Sequence, residues 1–468
     1  MVKKFKIYTL IPKPQESVTK LKHSHLPITT QLNKLIDNHA ISLHVPGHKN
    51  MTIGHLKQLK REMDMTEITG LDDLHHPESI ILDSMTEIDK HPDYDAYFLV
   101  NGTTSGILAV IQAFSNRAGN YLLSRNVHKS VFHGVDLTRQ SAELMPMIKS
   151  QTSQHYLQPD FEHISYNEQK LAVITYPNYY GECFDINNSV QSLHQHHIPV
   201  LVDEAHGAHF GLPHFPKSAL EVGADYVVQS YHKTLPALTM GSVLFIHKDA
   251  PLKEEVVRYL AYFQTSSPSY LVMASIELAH QFYKGYESST FFEKRARFID
   301  VLTQTGFEVK HVDDPLKLLI RYPGYSGYEV QTWFEACEIY TELADTHQTL
   351  LILPLWHEGD SYPFQELLHK IATMKLPLKK DKALKSLPLV LEEGFYSSES
   401  LEHTKWIDIE LAENKILAKH LIPYPPGIPV FLKGEKISRN MIKLMQYYLQ
   451  GEGRVEGLSH NKILVKDE

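Results

Sequence analysis

Val200-Leu-Val-Asp-Glu-Ala-His-Gly-Ala-His-Phe-Gly211 and, one crossover later, Tyr226-Val-Val-Gln-Ser-Tyr-His-Lys-Thr-Leu-Pro236 decide the reading of the fold. Each opens with an unbroken apolar run and ends in charged and small residues. Continuous runs of this length suit strands buried on both faces, and such strands belong to a mostly parallel sheet with helices on each side. The same pattern recurs at Ala96–Val100, Tyr121–Ser124, Leu171–Tyr176 and Ser242–Ile246, with helix-length segments between. The spacing predicts an α/β domain over 61–300, preceded by an arm over 1–60 with a short amphipathic helix within Ile28–Ile41. After about 300 the pattern changes. Gly306–Tyr322 reads as two strands around a turn, Val330–Tyr340 as a helix and Leu350–Leu353 as a strand, which predicts a smaller α+β domain over 301–468. The Tyr-Pro-Pro-Gly-Ile-Pro stretch at 424–429 reads as a rigid loop, because each proline lacks a donor and restricts its predecessor.

Composition narrows the function. The chain has 468 residues, 43% hydrophobic and 22% charged, which suits packed domains rather than disorder. A net charge of −9 repels a polyphosphate backbone and argues against nucleic acid as a partner. Cys183 and Cys337 can supply neither a disulfide framework nor a four-ligand zinc site, so a reducing cytoplasm is the expected location. The basic start loses its apolar run at Pro12, and Leu350–Trp356 is far too short to span a bilayer, so no membrane partner is expected.

Four polar clusters fall directly after predicted strands, where open α/β sheets collect ligands. In Phe98-Leu-Val-Asn-Gly-Thr-Thr-Ser-Gly106 a strand meets an amphipathic run, and the turn offers a phosphate backbone N–H groups, a positive dipole end and the hydroxyls of Thr104 and Ser105. Thr and Ser there serve equally as an ordinary N-cap. In Ser124-Arg-Asn-Val-His-Lys-Ser130, His128 can lie flat on an aromatic ring or be a satisfied surface histidine. Asp203 ends a buried strand, where a carboxylate is costly unless it meets a cation such as a protonated pyridine nitrogen; a structural capping role is the alternative. Lys233 follows the next strand, and in a dry pocket it becomes a neutral nucleophile, whereas most single lysines are solvated. In this order the clusters supply a phosphate cradle, a ring stacker, a ring-nitrogen partner and a Schiff-base lysine.

Those residues resemble the pyridoxal-phosphate-dependent Orn/Lys/Arg decarboxylases, specifically the short form of Gram-positive bacteria, which have the aspartate-aminotransferase fold (fold type I). The matching stretches are His44-Val-Pro-Gly-His-Lys49, Thr69-Gly-Leu-Asp-Asp-Leu-His-His-Pro-Glu78, Arg125-Asn-Val-His-Lys-Ser130, Val202–Gly211, Ser230–Gly241 and Pro423-Tyr-Pro-Pro-Gly-Ile-Pro429, in family order. The resemblance implies that Lys233 carries pyridoxal 5'-phosphate, that His128 stacks on its ring and that Asp203 binds its nitrogen. It also implies that Thr104, Ser105 and Ser230 hold the phosphate, that His206 lies near the ring and that His232 contacts cofactor or substrate. It implies a homodimer or larger assembly in which Thr265, within Gln264–Ser269, reaches the neighbouring protomer's cofactor. Glu342 matches a family acidic position near the substrate's distal amine. The expected reaction is decarboxylation of lysine, arginine or ornithine to the corresponding amine and CO2.

The chain departs from the family at Ile107 and Asn178 and in a short, glycine-free segment over 141–169. Another PLP-dependent enzyme, such as an aminotransferase, would clamp a retained carboxylate with an arginine, for which Arg321 and Arg439 are candidates. A non-catalytic relative would keep the fold alone. A metallohydrolase is prompted by Asp203, His206 and His209 at helical spacing and by His194, His196 and His197. No His-Glu-x-x-His pattern accompanies them, so no metal is expected.

Overall fold

Six of the apolar runs form strands of one eight-stranded sheet in the computed structural model, which describes residues 26–381, 389–424, 427–450 and 454–467. The strand order is Gly394–Ser397, Ser141–Leu144, Asn120–Leu123, Gln169–Thr175, Val200–Asp203, Tyr226–Gln229, Ser242–His247, Tyr94–Leu99. The five from Ser141–Leu144 to Tyr226–Gln229 are mutually parallel, and antiparallel partners flank them on both sides. Period-two alternation sorts their side chains into two cores. Leu122, Ala172, Ile174, Val200, Val202 and Val227 face one, and Leu123, Val173, Leu201, Val228 and Leu244 face the other. The helix Thr103–Ala113 packs on the second face through Ile107, Val110 and Ile111, so the sheet is buried on both sides as its composition requires.

The chain divides into two units, residues 1–40 and 41–468. In the first, Pro27 occupies the opening turn of the helix Pro27–Asp37, where its missing N–H costs nothing. The amphipathic segment read over Ile28–Ile41 is therefore helical only as far as Asp37. Ile41 instead opens a strand, Ile41–Leu43, which pairs in parallel with Ile339–Thr341.

In the larger unit, Glu308–His311, Lys317–Arg321 and Thr349–Ile352 match the strands expected there and form an antiparallel sheet with the unexpected Leu343–Ala344. The helix expected over Val330–Tyr340 runs instead over Gly327–Glu335, started by a reciprocal Ser326–Glu329 capping box. It stops because Glu338 takes φ 58°, and Ile339-Tyr-Thr then suits a strand. A further antiparallel sheet of Thr404–Asp408, Lys462–Lys466 and Leu458–Ser459 lies near the C-terminus. Pro425 and Pro426 of the expected rigid loop lie outside the described residues. Among the described residues no helix is long and apolar enough to cross a membrane.

Candidate active site

Parallel strands end together, and their carboxyl ends build a cleft of about 620 Å³. Thr175 is in register with Asp203, and Asp203 with Val228, so the Asp203 carboxylate and the Ser230–Lys233 turn emerge side by side. Lys233 sits in the short helix Tyr231–Thr234. Thr104, His128, Asp203, His206, Ser230, His232, Lys233 and Glu342 all line this one cleft. Ser105 does not line it, and Thr265, expected at the neighbouring protomer's cofactor, lies outside it too. The Ser105 hydroxyl donates to Gly102 O at 2.9 Å within its own turn. Thr265 is held by its backbone, its N–H donating to Asn101 Oδ1 at 3.2 Å and its carbonyl lying 2.9 Å from His75 Nε2.

Thr103 takes the place read for Ser105. It lines the cleft with its Oγ1 3.3 Å from Ser230 Oγ. The helix start explains the exchange. Gly102 is the N-cap at φ 75°, with no side-chain cap, so apart from Ser105 N–H, which donates to Gly102 O at 3.2 Å, the first-turn N–H groups of Thr103–Ala113 are left for an anion. Among the described residues, nothing lies within 4 Å of where a Cβ on Gly102 would point. The Gly-Thr-Thr-Ser order alone does not reveal which hydroxyl turns outward; the helical phase does.

Burial is the largest influence on the cleft's amine, its Asp203 carboxyl and its three imidazoles. It lowers the Lys233 ammonium, against the opposing pull of Asp203 and Glu342, and it raises the Asp203 carboxyl, which Lys233 and the Ala205 N–H hold back. Burial, helped by Lys233, pushes His128 down to about 3 and His232 to about 4, and drives His206 well below the imidazole range. Hydrogen bonds fix the tautomers accordingly. His128 caps the helix Lys129–Thr138, its Nδ1 accepting from Ser130 N at 3.3 Å, which only an unprotonated Nδ1 can do. His232 Nδ1 lies 3.0 Å from Gly241 O and donates to it, and His206 Nε2 lies 3.2 Å from Lys233 Nζ.

A second group of residues reaches the cleft from distant sequence. Gly47 N donates to His232 O at 2.7 Å, and Val45 N donates to Glu342 Oε2 at 2.9 Å. Tyr179 OH donates to the other Glu342 oxygen, and its ring meets His206 edge-on at 4.4 Å. Lys49, fully buried and lowered to about 7 by that burial, donates to Ile352 O at 2.9 Å. Short polar motifs such as His-Val-Pro-Gly-His-Lys mark these positions in the sequence, but not what they touch.

The alternative residues point elsewhere. Arg321 donates to Gln348 Oε1 and Thr152 O, and neither it nor Arg439 lines the cleft. His209 Nε2 pairs with Asp314 at 2.9 Å, away from Asp203 and His206. His194 pairs with Asp225, and His196 stacks on Tyr166. The departures are also structural: Ile107 is core at 1% exposure, and Asn178 ties its own loop to Tyr156 O and Glu182. The 141–169 segment supplies one sheet strand and the hairpin Met147–Lys149/Tyr156–Pro159.

The family model for the Orn/Lys/Arg decarboxylase major domain matches residues 26–304, and that for the C-terminal domain matches residues 393–461. The chain belongs to the Orn/Lys/Arg decarboxylase family. It is 36% identical to the uncharacterized protein YaaO of Bacillus subtilis over 92% of this chain and 96% of that one. It is 27% identical to an arginine decarboxylase of Bacillus anthracis over 94% and 96%. Among solved structures, the constitutive lysine decarboxylase of E. coli superposes with a TM-score of 0.65 at 16% identity, covering 83% of this chain and 74% of that one. Lysine decarboxylase A of Pseudomonas aeruginosa gives 0.66 at 14% identity, over 86% and 74%. These neighbours share fold type I, and the chain is a pyridoxal-phosphate-dependent decarboxylase of basic amino acids.

The cleft fits that cofactor. Thr175 Oγ1 and His206 Nδ1 are buried on residues that line it, and have no hydrogen-bond partner among the described residues. Buried polar atoms of this kind are costly unless a bound group meets them. An anion-ready helix start, a buried carboxylate and a buried amine in one cavity are the donor set that a phosphorylated pyridine aldehyde requires.

Proposed function

We propose that this cleft removes the α-carboxylate of arginine, lysine or ornithine as CO2, leaving the corresponding amine. The observation that carries this reading is the convergence of Lys233 and Asp203, from neighbouring parallel strands, in one buried cavity with three neutral imidazoles. When bound, pyridoxal phosphate supplies an electron sink for the pair released as the carboxylate departs.

The residues divide the remaining work. Lys233, lowered by burial, holds the cofactor and afterwards delivers from Nζ the proton that the α-carbon takes up. Asp203 presents a fixed negative charge to a protonated ring nitrogen, an interaction strengthened by exclusion of water. His128 lies against the ring as an uncharged plane, which its capping bond to Ser130 requires. The N-terminus of Thr103–Ala113, with Thr103, Thr104 and Ser230, holds phosphate. His206 and Tyr179 wall the lysine, and His232, its Nδ1 committed to Gly241 O, contacts cofactor or substrate. The active unit is a homodimer, with Gln264–Ser269 serving the neighbouring cofactor; sedimentation as a monomer at micromolar concentration would refute that part.

Purified protein loaded with pyridoxal phosphate is incubated with each of the three amino acids while CO2, amine and keto acid are followed. CO2 and amine in equal amounts, with no amino-group transfer, are expected. Lys233→Ala loses both the cofactor's visible absorbance and turnover. Keto acid without CO2 would replace this reading with transamination.

A further inference from the structure

Beside the cleft lies a second, more enclosed cavity of about 90 Å³. Asn126, Tyr179 and Ile428 line both, so the two meet across a shared wall. The inner cavity is otherwise lined by the rings of His155, Tyr156, Tyr180 and Tyr328, by aliphatic side chains such as Leu343 and Val430, and by Asp345. His155 and Tyr180 stack there at 4.4 Å and 19°.

Asp345 is a buried carboxylate already paired with His155, whose Nε2 lies 3.1 Å from its Oδ2. It is 7% exposed; burial pushes its carboxyl up, but donors from His155, His347 N and Tyr180 pull it below the usual carboxylate range. Its Oδ1 accepts from His347 N at 2.6 Å and Gln348 N at 3.0 Å, and its Oδ2 from Tyr180 OH at 2.9 Å and Gln348 Nε2 at 3.1 Å. With both oxygens engaged, Asp345 offers a guest its field rather than several direct bonds. Glu342 is similarly committed, to Val45 N and Tyr179 OH, where the cleft meets Tyr179. The polar atom still open at the junction is Asn126 Oδ1, buried on a residue only 4% exposed and without a partner among the described residues.

This combination discriminates between cations. An ammonium is a strongly hydrated point charge that needs several acceptors to leave water, and the ring walls do not supply them. A guanidinium is flat and weakly hydrated, stacks on aromatic faces and can give one N–H to a single acceptor. We propose that the inner cavity receives the guanidinium of an arginine substrate, held between tyrosine faces, bonded to Asn126 Oδ1 and balanced by Asp345. The inference rests on the decarboxylase reading and specifies its substrate.

The test uses pyridoxal-phosphate-loaded protein, wild type and two variants, Ala344→Leu, which narrows the cavity from its wall, and Asp345→Asn, which removes the charge. CO2 release is measured with arginine and ornithine, and calorimetry measures binding of agmatine and 1,4-diaminobutane. Wild type is expected to favour arginine at least tenfold in kcat/KM. Ala344→Leu should raise the arginine KM and weaken agmatine at least tenfold, with kcat within threefold and ornithine and diaminobutane within threefold. Asp345→Asn should weaken agmatine by a similar factor; if it does not fold, Ala344→Leu decides alone. Equal changes for arginine and ornithine, or wild type preferring ornithine, would overturn the assignment. Absence of CO2 from both amino acids would sink the decarboxylase reading instead, and agmatine binding that is insensitive to Ala344→Leu would still sink the cavity assignment.

Discussion

Gly47→Ala tests whether the lysine turn is held in place by the segment that crosses behind it. Gly47 lies against that turn, its N–H bonded to His232 O, and an added Cβ would stand 2.9 Å from Leu235 C, 3.0 Å from Thr234 C and closer still to the Leu235 carbonyl oxygen. Carbon atoms settle at roughly 3.5 to 4 Å, so backbone must yield by about 0.5 to 1 Å. Both clashing groups are backbone, one of them belonging to the residue after Lys233, and cannot rotate away. Overpacking of this kind costs about 1–3 kcal/mol, and a 1 Å misplacement of a reacting group costs on the order of 10²-fold in rate. We therefore expect kcat to fall about 10- to 100-fold, with a Tm several degrees lower and the cofactor still bound. Gly285→Ala is the control, because its Cβ would meet only Gln281 O at 3.7 Å. CO2 release at saturating substrate, cofactor absorbance and thermal denaturation read the outcome. A Gly47→Ala protein with wild-type kcat and Tm would refute the claim that this contact positions Lys233.

Asp203→Asn should lower kcat by roughly 10²-fold or more, the scale of losing one preorganised charge in a buried site, without lowering the Tm of cofactor-free protein; near-normal turnover would refute the ring-nitrogen role. Gly102→Ala forces an L residue to φ 75° at a cost of about 1–2 kcal/mol, and equilibrium dialysis should show pyridoxal phosphate binding about tenfold weaker; unchanged affinity would refute the cradle. Burial depresses His48 and His232 to about 4 and His128 to about 3, so between those values and the unfolded imidazole range the unfolded chain binds more protons. Stability is thus fully present above about pH 6.5 and lost as pH falls towards 4, and Tm should drop by several degrees from pH 7 to pH 5. A flat profile there would show that these imidazoles are protonated in the fold.

Local pattern made the sheet legible. The six runs read from sequence became strands because continuous Val, Leu and Ile segments have no stable place except between two helical layers. Ser141–Leu144 and Gly394–Ser397 were not legible, since Ser-Ala-Glu-Leu and Gly-Phe-Tyr-Ser carry no such run and are strands through their neighbours. The site divides in the same way. Asp203, Lys233, His128 and Ser230 follow strands directly, so topology alone aims them at one cleft. Thr103 against Ser105 depends on helical phase within a single turn. Tyr179, Asn126 and the Gly47 contact depend on pairings across more than fifty residues, and no local pattern encodes those.

The charge pattern of the cleft follows from one constraint. An amine and three imidazoles share a water-poor space, and protonating all of them would place like charges beside one another. Burial resolves this by stripping protons from the imidazoles, and the hydrogen bonds agree: His128 Nδ1 is committed as an acceptor, and His232 Nδ1 donates to Gly241 O. The Asp203 and Glu342 carboxyl groups both face this space and oppose the loss of the Lys233 proton. Such a space is unfavourable for a second anion except at the helix start beside Gly102, and favourable for a cationic ring nitrogen and a cationic side chain. That asymmetry lets the substrate's α-carboxylate be the group the site holds least well, which is the group that leaves.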